Sequence, residues 1–265
     1  MRHLAAFAAA LRIGASEFGF FWTWRSWLFG WMLRLFCASM MWCLLGRLIA
    51  SPEAVRYLLL GHGLATGAAA ALWAVPAVCW DRQDGTYSLI LASPADYFVV
   101  IVGRTAVWAA NAAVASLLFL LLLPFAFPEA ADFQLGAGAL LAIGTSVLAT
   151  YAFGLCLGVL TIRFMEFRNS IAGLASILIF SVCGPNVPVE FWPQPVRALA
   201  SVLPVTHALA ALRHSDAGVP PAALWPLYAR ELLVAAGWLA AAWAVAWVMG
   251  NAARRNGSGM QDEVH

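Results

Sequence analysis

Long apolar runs alternate with short polar segments along most of this chain, and this pattern predicts helices that cross a membrane. An α-helix needs roughly 20 apolar residues to cross a hydrocarbon core about 30 Å thick. The predicted spans cover about residues 26–49, 57–78, 98–126, 135–160, 169–183 and 230–250. We therefore predict an all-α integral membrane protein with six transmembrane helices. Residues 1–255 form a single transmembrane domain, and residues 256–265 form a polar cytoplasmic tail.

The first 22 residues predict an amphipathic helix that lies in the membrane interface. At 100° per residue, apolar side chains fall on one face and polar ones on the other. The apolar face carries Leu4, Phe7, Leu11 and Phe18, and the polar face carries Arg12, Ser16 and Glu17. The segment is too interrupted to cross the bilayer, so we expect it at the interface.

Residues 184–226 differ from the other segments because they contain eight of the thirteen prolines. The prolines separate two short apolar pieces, near residues 196–203 and 205–213, and neither is long enough to cross a membrane. We predict two short extracellular or re-entrant helices before the last span. Non-helical backbone at membrane depth requires protein or a cavity to satisfy its polar groups.

The composition agrees with a membrane protein. Of the 265 residues, 63% are hydrophobic and 11% are charged, whereas soluble domains contain about 25% charged residues. The net charge of +2 gives no indication of nucleic acid binding. The five cysteines stand singly in apolar segments, without metal-ligand or redox spacing, and are expected to be small buried hydrophobes.

All fifteen basic residues are arginine. A P-loop needs a lysine to hold nucleotide phosphates, so the sequence excludes that kind of nucleotide site. Cytoplasmic segments carry an excess of basic residues. With Arg34 set aside, a cytoplasmic N-terminus places nine arginines inside and five outside. Both termini and residues 80–94 are then cytoplasmic, and residues 184–226 face outward. The lysine-free, Ala-rich usage is associated with a bacterial source.

Several polar residues inside the predicted spans are candidate pathway or interface residues: Arg34, Asn111 and Thr150. Arg34 either extends to the near interface or lines a wet cavity, because a charge within a span is costly. Thr150 belongs to a span rich in small residues, which suits tight helix packing or a groove for a flexible ligand. His62 is interpreted as a hydrogen-bond partner of a neighbouring carbonyl group, with a proton relay as the alternative.

Residues 80–94 combine three charges within four residues, an Asp84-Gly85 turn signal and an apolar run. This stretch resembles the first cytoplasmic loop of ABC type-2 export permeases, in which an acidic-basic-x-acidic-Gly-Thr run precedes an apolar helix that closes with proline. Pro204, His207 and Arg213 resemble the signature that follows the fifth span of that family. The resemblance is to permeases that export daunorubicin-like antibiotics and nodulation factors.

The resemblance implies a permease subunit of an ATP-driven exporter that moves an amphipathic or lipid-linked molecule outward through a bacterial cytoplasmic membrane. It implies two ABC ATPase subunits that bind ATP and Mg, a second copy or a homologous permease chain, and surrounding lipids. No cofactor or catalytic activity is expected in this chain. A cytoplasmic coupling helix would contact the ATPase through Asp81, Arg82, Asp84, Gly85, Thr86, Leu89, Leu91 and Pro94. The outer signature Pro204, His207 and Arg213 would contribute to an outer gate or cargo contact.

Other interpretations remain open at this stage. Residues 81–86 are also consistent with a solvated turn that caps a helix, and His207 and Arg213 with interfacial side chains. An ion-coupled carrier would bury carboxylates near mid-membrane, whereas the acidic residues here stand at turns and span ends. An intramembrane serine protease is a further alternative, but residues 144–147 depart from the Gly-x-Ser-Gly element that it needs. A lipid transferase would need more acidic residues than Asp81 and Asp84.

Overall fold

The computed structural model describes residues 2–48, 51–93 and 95–256, and the regular structure in them is helical. A π-helix over Ser26–Met32 leads directly into α2, and 3₁₀ turns cover Pro128–Ala130, Ile162–Phe167 and Val189–Phe191. The α-helices are α1 Arg2–Phe21, α2 Leu33–Leu48, α3 Pro52–Ala71, α4 Ala74–Gln83, α5 Tyr87–Ala92, α6 Tyr97–Ala126, α7 Ala137–Thr161, α8 Arg168–Val182, α9 Gln194–Val202, α10 Thr206–Asp216 and α11 Trp225–Asn256.

Six helical stretches in the described residues are long and apolar enough to cross a membrane. The predicted all-α class with about six helices of this length and hydropathy is therefore confirmed. The six stretches differ from the six predicted spans, however. They include His3–Phe21, which we predicted to be interfacial, and they join the predicted fourth and fifth spans in one stretch, Ala137–Val182.

The stretch Ala137–Val182 contains two helices rather than one span. Its 46 residues would extend about 69 Å as a straight helix, more than twice the hydrocarbon thickness. The backbone leaves helical geometry at Phe164, where φ is −128° and ψ is 57°. The chain turns at this point, so α7 and α8 are separate, as the sequence predicted.

The α3–α4 segment lies at the centre of the bundle and is mostly buried. The helix is interrupted at Leu72 and Trp73 before it resumes as α4. Pro76 lacks the N–H that would bond to the carbonyl of Leu72, which explains a break at this position. Contrary to the prediction of a loop from residue 80, α4 continues to Gln83 because Trp80 and Asp81 are packed inside the protein.

Glycines allow the helices around α3 to approach closely. A Cβ added to Gly61 would lie 2.4 Å from the carbonyl oxygen of Pro185, and one added to Gly67 would lie 2.1 Å from Ser116 Oγ. Such contacts are typical of membrane helices, where small residues bring backbones together.

Helix α1 crosses α6 in direct backbone contact. A Cβ added to Gly14 would lie 1.9 Å from the carbonyl oxygen of Arg104, and one added to Gly103 would lie 2.7 Å from Ala10 Cβ. Most of α1 is otherwise exposed. The crossing occurs in the first third of α6, near the end of the bundle where α4 finishes. Whether α1 lies in the interface stays a prediction.

Ion pairs join helices and loops at the end of the bundle where α3 begins, which we call the Arg56 face. Arg56 donates to both carboxylate oxygens of Asp216, at 2.7 and 2.8 Å, and also pairs with Asp132. Arg47 donates to both oxygens of Glu129 at 3.0 Å. This contact lowers the pKa of the Glu129 carboxyl below its ordinary value, because the hydrogen-bonded guanidinium favours the charged form. The Arg56 face therefore connects α2, α3, the α6–α7 loop and α10.

Candidate functional site

The opposite end of the bundle contains a buried charge cluster formed by Glu17, Asp81, Thr86 and Arg104, which we call the Asp81 cluster. Arg104 forms ion pairs with both Asp81 and Glu17. Asp81 is 4% exposed. It also accepts a hydrogen bond from the Thr86 hydroxyl at 3.1 Å. The cluster thus joins α1, α4, α6 and the turn before α5 by charge-assisted hydrogen bonds, the strong class of such bonds.

The residues predicted to contact an ATPase therefore divide into two groups. Asp81 and Thr86 are engaged within the protein, and Arg82 donates to the carbonyl oxygen of Ile162 at 2.9 Å. Asp84 is exposed, and Gly85 has a φ of 69°, the left-handed region that favours glycine. The turn is therefore exposed at the protein surface, while the residues on either side of it are bonded to the bundle.

The predicted coupling helix is present as α5, a short helix that follows this turn. Its Leu89 side chain is 70% exposed. The backbone of Leu91 belongs to α5, but its side chain and Pro94 lie outside the described residues. The available contact surface on the described part is therefore Leu89 together with Asp84.

The second motif, at residues 204–213, begins at a sharp corner between α9 and α10. The two helices meet at 90°. Val205 at the corner has a φ of 81°, which is a strained conformation for a β-branched residue. The corner is held by Glu231 of α11, whose fully buried carboxylate accepts hydrogen bonds from three backbone N–H groups. The donors are Val205 at 2.6 Å, His207 at 3.0 Å and Ala208 at 3.1 Å.

Glu231 thus caps the N-terminus of α10 from another helix. The first N–H groups of a helix have no partner inside it, and a negative charge there is favourable for the helix dipole. Sequence reasoning did not assign this role, because nothing in a single acidic residue near the start of a span indicates which backbone it meets. The His207 imidazole lies beside the same corner, with Nε2 3.1 Å from the carbonyl oxygen of Ser201.

Arg213 is packed inside the protein at the Arg56 end of the bundle. Its guanidinium carbon lies 3.4 Å from the centroid of the Tyr57 ring. It donates to the carbonyl oxygens of Gly184 at 2.9 Å and Tyr57 at 3.3 Å, while Tyr57 Oη donates to Gly184 at 2.8 Å. Pro204 is buried at the corner. The three motif residues therefore organise the short helices and the end of α8, and they do not form a cluster with one another.

A groove runs between α2 and α8, with α3 and α4 as its floor, and we call it the α2–α8 groove. It consists of two cavities of about 620 and 310 Å³. The two cavities are adjacent and share four lining residues, namely Leu35, Ala38, Ala69 and Ser176. Volumes of this size hold drug-sized ligands.

The wider cavity contains two arginines, Arg34 from α2 and Arg168 from α8, with Trp73 and Trp80 on its floor. Arg34 lies about two helical turns inside the stretch Ser26–Leu48, and it makes no hydrogen bond or ion pair with another described residue. Arg168 donates to the carbonyl oxygen of Met165 at 3.1 Å. Arg168 was not among the predicted pathway residues, because it lies between the predicted fourth and fifth spans. Only the fold brings it into the same cavity as Arg34.

The narrower cavity contains the polar residues His62, Asn186, Ser39 and Thr66. His62 Nε2 lies 2.9 Å from Asn186 Oδ1, while Asn186 Nδ2 donates to the carbonyl oxygen of Phe180 at 3.1 Å. Because this second bond directs Oδ1 toward His62, the imidazole donates from Nε2 and Nδ1 carries the lone pair. Nδ1 has no hydrogen-bond partner among the described residues. His62 therefore bonds a side chain rather than the backbone carbonyl that we expected.

The other two predicted pathway residues lie elsewhere in the bundle. Asn111 is buried and accepts a hydrogen bond from Trp27 Nε1 at 2.8 Å. Thr150 is fully buried in α7, and its hydroxyl donates to the carbonyl oxygen of Ser146 at 2.8 Å. Neither residue lines either cavity of the groove. Their contacts are those of helix packing.

The described residues contain no group of three or more His, Cys, Asp or Glu side chains placed to hold a metal ion. No family model matches this chain, and no curated protein matches it. The resemblance to ABC type-2 permeases therefore depends on the sequence alone and stays a prediction.

Proposed function

We propose that this chain is the permease subunit of an ATP-binding-cassette exporter that moves an amphipathic or lipid-linked molecule outward. The observation that carries the proposal is the α2–α8 groove, which places arginines, a histidine and hydroxyl groups along otherwise apolar helices. Charged and polar residues inside membrane segments are costly, and they characteristically mark substrate pathways.

The described part of the protein also suits the transmission of force from a separate ATPase. The Leu89 side chain of α5 is exposed at the protein surface, and the turn before α5 is joined through Thr86 to the Asp81 cluster. The cluster contacts α1, α4 and α6, so a displacement of α5 acts on three helices at once. Two ATPase subunits would each seat one such helix, with ATP and Mg bound by those subunits.

In this proposal the Asp81 cluster marks the cytoplasmic face and the Arg56 face is outside. The arginine distribution along the sequence supports this orientation. The chain would be a multi-pass protein of a bacterial cytoplasmic membrane with both termini in the cytoplasm. A second copy, or a homologous permease, would complete the transporter.

The test is co-expression of the chain with a candidate ABC ATPase partner, followed by reconstitution in proteoliposomes. We expect the two proteins to purify together and to hydrolyse ATP in an orthovanadate-sensitive manner. Absence of both a stable complex and stimulated hydrolysis would refute the proposal.

A variant of α5 tests the coupling role. Leu89→Asp should uncouple the ATPase from the permease, because it places a charge where an apolar contact is expected, while the folded permease remains intact. Leu199→Asp on α9 is the matched control, since Leu199 is also an exposed leucine but lies at the opposite end of the bundle. Gly85 is unsuitable for this test, because its φ of 69° lies in the left-handed region, where a side chain adds backbone strain. Equal ATPase coupling in both leucine variants would reduce α5 to a connection between helices.

A further inference from the structure

The α2–α8 groove has an uneven distribution of charge along its length. Arg34 and Arg168 both line the wider cavity, and no Asp or Glu is found among the described residues that line either cavity. Asp81, the residue after the lining residue Trp80, is already paired with Arg104. Two positive charges therefore stand in the wider cavity without a carboxylate beside them.

An uncompensated guanidinium within a membrane segment is costly, and the cost falls when an anion binds to it. Arg34 meets this description, because it has no partner among the described residues and lies inside its span. A guanidinium is suited to bind carboxylate and phosphate groups through two parallel hydrogen bonds. The wider cavity therefore has the chemistry of an anion site.

The rest of the groove has the chemistry of a site for an apolar body. Leu35, Ala38 and Ala69 line both cavities, and Trp73 and Trp80 form the floor beside the arginines. At the far end, His62 Nδ1 is a buried acceptor without a donor. A molecule in the groove would meet positive charge at one end, apolar surface along its length, and a hydrogen-bond acceptor at the other end.

We infer that the α2–α8 groove selects an anionic amphiphile, with its phosphate or carboxylate head between Arg34 and Arg168 and its apolar body along α2 and α8. This inference rests on the proposed function, since it names the class of molecule that the permease moves. A second copy of the chain is a poorer occupant. A symmetric contact at this groove would add two more arginines to a surface that has no acidic residue.

The test is a binding measurement on the full chain alone, in nanodiscs of phosphatidylcholine. The probe is dansylaminoundecanoic acid, a fluorescent amphiphile with a carboxylate, and energy transfer from tryptophan reports its arrival. We expect saturable binding that dodecyl phosphate displaces. Inorganic phosphate should displace the probe only weakly, because it lacks the apolar body, and dodecyltrimethylammonium should not displace it. Equal displacement by the cationic amphiphile would overturn the inference, and full displacement by inorganic phosphate would assign the site to free anions.

Variants locate the site. Arg34→Gln and Arg168→Gln should each raise the Kd at least about tenfold, the effect of losing one charge-assisted hydrogen bond. Arg34→Lys should bind more tightly than Arg34→Gln because it retains the charge. Arg163→Gln is the matched control, since Arg163 is an exposed arginine near Arg168 that does not line the groove. Wild-type affinity in both glutamine variants would overturn the inference. The measurement needs no ATPase, so failure of the coupled ATPase assay leaves its result unaffected.

Discussion

Replacement of Glu231 by alanine should strongly destabilise the protein, because this one side chain accepts three backbone hydrogen bonds. The carboxylate is fully buried and accepts hydrogen bonds from the backbone N–H groups of Val205, His207 and Ala208. In Glu231→Ala all three donors lose their partner in the interior. The strained φ of Val205 also loses the contact that holds it.

The size of the effect follows from the three lost bonds. A buried polar group without a partner costs about 1–3 kcal/mol. Three such groups would cost about 3–9 kcal/mol in the free energy of unfolding, and we expect about 3 kcal/mol because relaxation relieves part of the cost. For a chain of this size, that corresponds to a fall in Tm of roughly 6–12 °C. Glu231→Gln retains one acceptor oxygen and should lie between alanine and wild type.

The assay is thermal unfolding in detergent with a thiol-reactive dye, since four of the five cysteines are buried and react only when the bundle opens. Hydrogen exchange at residues 205–208 should rise in Glu231→Ala before the rest of α10 is affected. Glu53→Ala is the control, because Glu53 is an exposed glutamate in the first turn of α3. A Tm within about 2 °C of wild type for Glu231→Ala, with unchanged exchange at the corner, would refute the reasoning.

Three further predictions follow from the packing and the ion pairs. Gly14→Ala should separate α1 from α6 and lower the free energy of unfolding by about 2 kcal/mol or more, since the added Cβ would lie 1.9 Å from a backbone oxygen. The matched variant Gly19→Ala meets nothing within 4 Å and should be neutral or slightly stabilising in the same thermal assay. Glu129→Gln should be less stable than wild type at neutral pH. The lowered pKa of Glu129 means that the Arg47 pair contributes above the ordinary carboxyl pKa of roughly 4, and its contribution is lost as the pH falls through the folded-state pKa. The Tm difference should therefore vanish in acid, and a constant difference would contradict this explanation. Arg213→Lys should lower the Tm, because an ammonium cannot both cover the Tyr57 ring and donate to two carbonyls; an unchanged Tm would show that charge alone suffices.

Much of the fold was predictable because membrane helices are constrained by length and hydropathy. Each helix must satisfy its backbone internally, so a long apolar run has essentially one structure available in a bilayer. The breaks were also predictable where turn residues or prolines are concentrated, as at Asp84-Gly85 and near Pro204. The exact end of α4 was predicted wrongly, because the burial of Asp81 against Arg104 extends a helix that the charges alone appeared to end.

The candidate site was only partly predictable. The sequence marked Arg34 as an unusual charge, but its neighbour Arg168 is 134 positions away along the chain and is brought near only by the return of α8. Asn111 and Thr150 carried the same kind of polar signal, yet they pack against other helices. Hydropathy reports how costly a polar residue is in a span, and it does not report which helix faces it.

The sequence by itself determined the class of protein, the approximate positions of the long helices and the absence of a P-loop, because these depend on local composition and on the thickness of a bilayer. The tertiary structure decided which polar residues meet. It placed Asp81 in an internal cluster, left Leu89 exposed, directed Glu231 to the N-terminus of α10, and opened the groove that contains both arginines. These outcomes depend on how helices cross and rotate against one another. Small residues and side-chain pairs from distant parts of the chain set that geometry together.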